Sequence, residues 1–245
     1  MASTSKIIEI MNNIKLDDEE DEGPALEVEA RDQDLDSNTQ INAELCLVGR
    51  FLVEGVIDFP LMKQTMAALW RPGKGVFIKE IDVNLYVFQF YHMVDMKRVI
   101  DGSPWSSNRK VLVIARMKEG NIPRAVNLNT MDLWVQIHEL RACFMTKKVV
   151  KEVDNYIGSF VESCPSNFIG AWHEYLRVRI QILLDKPMKR RMKIRRAGNE
   201  WFWIVFKYEN IPTFCFICGI FGHSYKFYNH LFETPEEEIL KPYGP

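Results

Sequence analysis

The sequence predicts an α+β protein in which a β-α-β-β-α-β unit is followed by a second β-α-β-β-β unit. Three observations carry this. Short runs rich in β-branched and aromatic residues are interleaved with three amphipathic stretches of helical period. Charge is divided along the chain: residues 1–43 hold 12 acidic and 3 basic side chains, net −9, and the remainder holds 21 acidic and 28 basic, net +7. Near the C-terminus two cysteines and a histidine stand at C-x2-C-x4-H spacing.

The elements follow in order. Residues 17–36, DDEEDEGPALEVEARDQDLD, repel one another and offer little to bury, so 1–43 reads as a disordered acidic tail. Within it, Ser5–Ile14 has the apolar spacing of a short amphipathic helix. Residues 45–53 read as a buried strand. Asp58-Phe59-Pro60 starts a helix over 60–70 with Leu61, Met62, Thr65, Met66 and Leu69 inward. Residues 75–82 and 84–91 form two strands about a tight turn, 94–100 a second helix, and 110–117 a fourth strand. This split order is the ferredoxin-like arrangement shared by RNA-recognition modules, assigned to 44–118.

A second α+β unit spans 119–210. Residues 132–140 form a strand, and 146–160 a helix capped by Thr146 with Val149, Val150, Val153, Ile157 and Phe160 inward. Strands follow at 174–184, 188–196 and 200–209, the last two joined by a turn at Ala197-Gly198-Asn199. Residues 211–245 hold the cysteine–histidine cluster and a tail.

Several function classes are excluded. No apolar run approaches the roughly 20 residues of a spanning helix, and Met1–Leu16 lacks the layout of a secretory signal. Five scattered cysteines do not make a secreted disulfide framework. An intracellular protein, nuclear or cytoplasmic, is expected. No phosphate-binding loop, dinucleotide turn or nucleophile elbow occurs, and Cys143 with His138 or His173 lacks a supporting third group, so no enzymatic activity is expected.

The informative stretch is FCFICGIFGHSYKFYNH, residues 214–230. Cys215, Cys218 and His223 have the spacing of a zinc knuckle, with Gly219 and Gly222 permitting the tight turns. A fourth ligand is expected four residues after the histidine, where Tyr228 stands, and a phenol with pKa near ~10 is a poor zinc ligand. His230 is a candidate replacement. A water-completed weak site and an empty knuckle are the alternatives.

With these residues the chain resembles the plant family that joins a domain of unknown function 4283 to a C-x2-C-x4-H-x4-C knuckle. That family is read as derived from first-frame, gag-like proteins of LINE-type retrotransposons. LCLVGRFLVEG, DLWVQIHEL, YLRVRIQILLDKPMKRRMKIR, FKYENIPTFCFICGIFGHS and PEEEILKPYGP carry the likeness, over about residues 44–245. It implies zinc and nucleic-acid binding, with Cys215, Cys218 and His223 as ligands and the fourth ligand lost. Members often continue past the Lys-Pro-Tyr-Gly stretch, so ending at Pro245 reads as a truncated copy.

The basic residues agree with a polyanionic partner, RNA or single-stranded DNA. On a strand, Lys189, Arg191, Lys193 and Arg195 project from one face, as do Arg177 and Arg179 on the preceding strand. Together they offer a phosphate-binding patch. A merely solvated sheet face and a nuclear-import signal are the other readings of this run. For base stacking, Phe216 and Phe221 on the knuckle loops are preferred, with padding of the metal site as their other reading, while WFWIVF (201–206) is apolar on both faces and reads as buried, with Trp201 or Trp203 as the alternative stacking platform. The rival to nucleic-acid binding is a protein-interaction module or decayed relic without zinc.

Overall fold

The computed structural model describes residues 42–52, 55–108, 110–170, 173–196, 200–227 and 239–244. The acidic segment, the Ser5–Ile14 helix, the Ala197–Asn199 turn, Tyr228 and His230 lie outside the described residues.

Among the described residues, ten strands form two antiparallel five-stranded sheets. The first holds β1 (Cys46–Leu52), β2 (Val76–Asp82), β3 (Leu85–Phe90), β4 (Trp105–Ser107) and β5 (Lys110–Arg116), in the order β2-β3-β1-β5-β4. Apart from the short β4, this is the ferredoxin-like order, with the first strand between the third and the last. Helix α1 (Phe59–Trp70) follows β1, and α2 (Met93–Asp101) follows β3. The Asp58 carboxylate accepts from the Leu61 amide at 3.0 Å and starts α1, with Pro60 in its first turn.

Helix α1 buries Met62, Met66 and Trp70, and the Trp70 ring meets Phe88 edge-on with centroids 5.1 Å apart. Leu61 and Leu69, expected inward, are exposed. The stripe i, i+4, i+8 turns the bulky Trp70 to the sheet and rotates the two leucines away. The expectation also missed β4, whose three residues WSS carry too little pattern to read.

The second sheet holds β6 (Thr130–His138), β7 (Ser159–Ser163), β8 (Tyr175–Leu183), β9 (Arg191–Ile194) and β10 (Phe202–Tyr208), in the order β7-β8-β6-β10-β9. Element by element this is the strand order of the first sheet. Helix α3 (Lys147–Ile157) follows β6 as α1 follows β1, and no helix follows β8 where α2 follows β3. Thr146 caps α3, accepting from the Val149 amide.

The helix stops earlier than its apolar period suggests. A Cβ on Gly158 would lie 2.3 Å from the Gln181 carbonyl oxygen, so only glycine allows so close an approach to β8. The chain then runs as β7 along the sheet edge. Phe160, expected on the buried face of the helix, is an exposed residue of that strand.

The described residues form one compact unit with two cores. One lies between the first sheet and its helices and includes Leu47, Phe51, Phe88 and Leu112. The other unites Val150 and Val153 of α3, Leu133 and Val178 of the second sheet, and Val48 and Val113 from the helix-free face of the first. The second sheet has one helix of its own, and the first sheet's helix-free face helps to complete its cover. That face is therefore sealed, whereas the helix-free face of the second sheet meets solvent along β9 and β10.

Candidate metal centre and nucleic-acid interface

The knuckle is built from a bridge between Phe214 and Phe221 and two glycine turns. Gly219 has φ +74° and Gly222 φ +95°, the left-handed region that side chains avoid. The Cys215 amide donates to Ile220 O at 2.9 Å, and the Gly219 amide to Cys215 O at 2.8 Å. These bonds bring the Cys215, Cys218 and His223 donor atoms within 4.8 Å of one another, with Cys218 Sγ 3.5 Å from His223 Nε2.

A tetrahedral zinc with bonds of ~2.0–2.3 Å needs ligand atoms roughly 3.5–3.8 Å apart, so two thiols and an imidazole placed this way fit such an ion after small adjustment. Burial pushes the Cys218 thiol above its ordinary pKa, and the neighbouring Cys215 adds to the rise. A dication reverses that penalty by taking the thiolate as ligand.

The knuckle is tied down on two sides. Phe221 is buried in the shared core, and the Met188 amide donates to Gly219 O at 3.0 Å. From the C-terminal side, the Tyr243 amide donates to Phe216 O at 3.0 Å, and the Tyr243 ring lies against Gly219. Arg190 donates to Pro242 O and sits over the Tyr243 ring. Phe216 stacks on Tyr225 with centroids 5.4 Å apart and meets Phe214 edge-on. For Phe221 the expected base-stacking role is therefore corrected. Phe221 is a core residue, and Phe216 has its ring engaged by Tyr225 and Phe214.

The basic residues divide into two sets. Arg177 and Arg179, expected to hold phosphates, are committed within the protein. Arg177 makes a bidentate pair with Glu209, its Nη2 2.8 Å from Oε2, and its guanidinium lies 3.8 Å over the Trp134 ring. This pairing raises the Arg177 pKa and holds the Glu209 carboxyl below its usual range. Arg179 is 3% exposed. It donates to the carbonyls of Ile100 and Asp101 at the end of α2 and to Ser103 Oγ, and it faces Glu162 and Asp132. Neither cation is available to a polyanion without breaking these bonds.

The second set lies on and beside the edge strand β9. Arg191, Lys193 and Arg195 are exposed and, among the described residues, have no carboxylate partner. They lie instead over aromatic rings: Arg191 4.3 Å and Lys193 5.0 Å from the Trp203 centroid, and Arg195 4.5 Å from that of Trp201. Lys189 lies 5.3 Å over Tyr156. The two tryptophans, expected to be buried, are 55% and 43% exposed at 201 and 203. The phase of the run could have shown this. Trp201, Trp203 and Val205 alternate in step with Lys207 and Glu209, and Phe202, Ile204 and Phe206 take the core side.

Sequence reasoning also missed the polar chain on the same face, where His138 Nε2 bonds Gln136 Oε1 and Gln136 Nε2 donates to Glu209 Oε1, each at 2.9 Å. Burial, then Lys207, holds the His138 pKa down. His138 and Gln136 share a face of β6 two residues apart, and cross-strand register supplies the link to Glu209 that no spacing within one strand reveals.

Comparison with known proteins places two modules. Residues 41–124 match the family described as Domain of unknown function (DUF4283), and residues 182–230 match the family described as Zinc knuckle. The second match takes in β9 and β10 as well as the knuckle. No curated protein matches the chain. Among solved structures the chain is similar to Sex-lethal RNA recognition domains 1 and 2 from Drosophila melanogaster. The identity is 17%, over 56% of this chain and 85% of that one, with a TM-score of 0.25. A superposition that loose bears on neither function nor the placing of the parts. No helix among the described residues is long and apolar enough to cross a membrane.

Proposed function

We propose that this protein is a non-catalytic, zinc-binding, nucleic-acid-binding protein of retroelement, gag-like origin. The zinc part rests on the Cys215–Cys218–His223 cluster and the knuckle match. The origin rests on the resemblance of the sequence motifs alone. The nucleic-acid part is carried by one observation: three cations at the exposed edge of the second sheet, Arg191, Lys193 and Arg195, have no carboxylate partner among the described residues, whereas Arg177 and Arg179 do. Unpaired cations aligned on one face neutralise phosphates at no cost in broken ion pairs. Arg190, at the head of the same strand, joins this edge to the knuckle through Pro242 and Tyr243.

The test is fluorescence anisotropy with a labelled RNA at about 50 and 200 mM salt. Binding that weakens steeply with salt, and that is lost in the Arg191→Glu/Lys193→Glu double variant, supports the reading. Absent binding in dilute buffer, or binding indifferent to salt and to charge reversal, overturns it.

A further inference from the structure

We propose that the helix-free face of the second sheet, at its β9–β10 edge, is a single-strand binding site in which Trp203 and Trp201 stack on unpaired bases. This deepens the nucleic-acid reading and rests on it. It assigns a ligand class, single-stranded rather than duplex, and the residues that select it.

On β10, Ile204 and Phe206 enter the shared core, and Trp203 shares its phase with Val205 and Lys207 on the other side of the sheet. On β9, Met192 and Ile194 pack inward, so Arg191 and Lys193 point out. Pairing sets Lys193 directly opposite Trp203 and Arg191 opposite Val205. Two indoles about 7 Å apart along the chain are thus flanked by Arg191 and Lys193 of the neighbouring strand, about 5 Å away, and by Arg195 just past its end. β9 is the last strand of its sheet, so the patch is open at the side as well as above.

Large apolar rings left half in water cost stability, and the cations beside them recover part of it. The same arrangement suits a single strand: the bases present flat π-faces to the indoles, and the phosphates meet the guanidinium and ammonium groups. A duplex keeps its bases stacked within and offers the tryptophans nothing. The first sheet has no such face, since Val48, Val111 and Val113 on its helix-free side are buried in the shared core. The knuckle rings are engaged as well, Phe221 in the core and Phe216 on Tyr225. Trp203 and Trp201 are 43% and 55% exposed, and a base that stacks on either displaces the cations now lying over the ring onto the phosphates.

The experiment uses the full chain with fluorescein-labelled oligouridylate and oligodeoxythymidylate of about 12 nucleotides and a duplex of the same length. Trp203→Ala is expected to weaken both single strands about fivefold or more, with duplex affinity and the salt slope unchanged. Trp203→Phe keeps a stacking ring and should restore most of the affinity. It also guards against misfolding of the alanine variant, since the oligonucleotides should quench the wild-type indole emission more than that of Trp203→Phe. If Trp203→Ala and Trp201→Ala bind single strands like the wild type while Arg191→Glu/Lys193→Glu does not, the stacking site is overturned and the electrostatic reading stands. If the wild type binds no oligonucleotide, both fall. A preference for one of the two single strands tells RNA from DNA and leaves the site assignment supported.

Discussion

Arg179 Nη2 donates to the carbonyl oxygen of Ile100 at 2.7 Å, so that a side chain of the second sheet caps the last turn of a helix on the first. The same guanidinium reaches Asp101 O and Ser103 Oγ and faces Asp132 and Glu162. A buried cation bonded through both terminal nitrogens cannot be removed cheaply, because its partners are left unpaired. Arg179→Met should lose about 3–5 kcal/mol in urea unfolding. Arg179→Lys should recover little, since one ammonium cannot reproduce a planar fork. An Arg179→Met variant as stable as the wild type would show that the contacts with α2 contribute nothing.

Asp154 is fully buried on α3, and neither carboxylate oxygen has a hydrogen-bond partner. Burial pushes its pKa up to about 7. The unfolded chain gives up this proton near 3.8 and the folded chain near 7, so the residue's contribution to stability falls as pH rises between those values and is flat above. Asp154→Asn should therefore be more stable than the wild type at about pH 8, and the gap should narrow by roughly 2 kcal/mol at about pH 5. Chemical denaturation of the pair at both pH values measures it. A gap independent of pH would refute the assigned burial.

The knuckle should hold zinc more weakly when its turn is crowded. A Cβ on Gly219 would lie 2.5 Å from the Tyr243 ring, and the residue also sits at φ +74°. Gly219→Ala should lower zinc affinity in a chelator competition, and Tyr243→Ala should relieve only the steric part. A left-handed alanine still costs about 1 kcal/mol, so the double variant should stay below the wild type. Full restoration would mean that the backbone conformation is immaterial.

Much of the fold was legible because its signals are local. The apolar run of β1, alternation along β6 and β8, the Asp58 and Thr146 caps and the C-x2-C-x4-H spacing each lie within a few residues. What was not legible depends on contacts between distant segments. Glu209 turns Arg177 away from solvent from 32 residues further on, and Ile100 engages Arg179 across 79. Gly158 ends α3 because β8 passes beside it, although the apolar period runs on to Phe160. The matching strand orders of the two sheets leave no repeat in the sequence, since β-pairing constrains side-chain phase and leaves identity free. The exposed tryptophans are the instructive miss, because their phase was readable and their hydrophobicity outweighed it.

Metal removal should be felt beyond the knuckle. Phe221 lies between the Cys218 turn and His223 and is part of the shared core, so the zinc loop and the sheets are mechanically joined. If zinc holds Cys215, Cys218 and His223, a chelator should lower the melting temperature of the whole chain, and Cys218→Ala should abolish that response. The zinc affinity should also fall as pH falls, since protons compete for the raised Cys218 thiol. A chelator response that survives in Cys218→Ala would move the metal elsewhere.

Phe221→Ala separates packing from recognition at the residue first expected to stack on a base. Its ring is 5% exposed and packs in the core shared by both sheets. Truncating a buried phenylalanine typically costs about 3–5 kcal/mol, so the variant should unfold at clearly lower urea. Held well below its melting temperature, it should bind oligouridylate as the wild type does, because the ring never meets the ligand. Lost affinity in a variant that is still folded, by its near-ultraviolet circular dichroism, would return Phe221 to the binding surface and require the knuckle to open when nucleic acid binds.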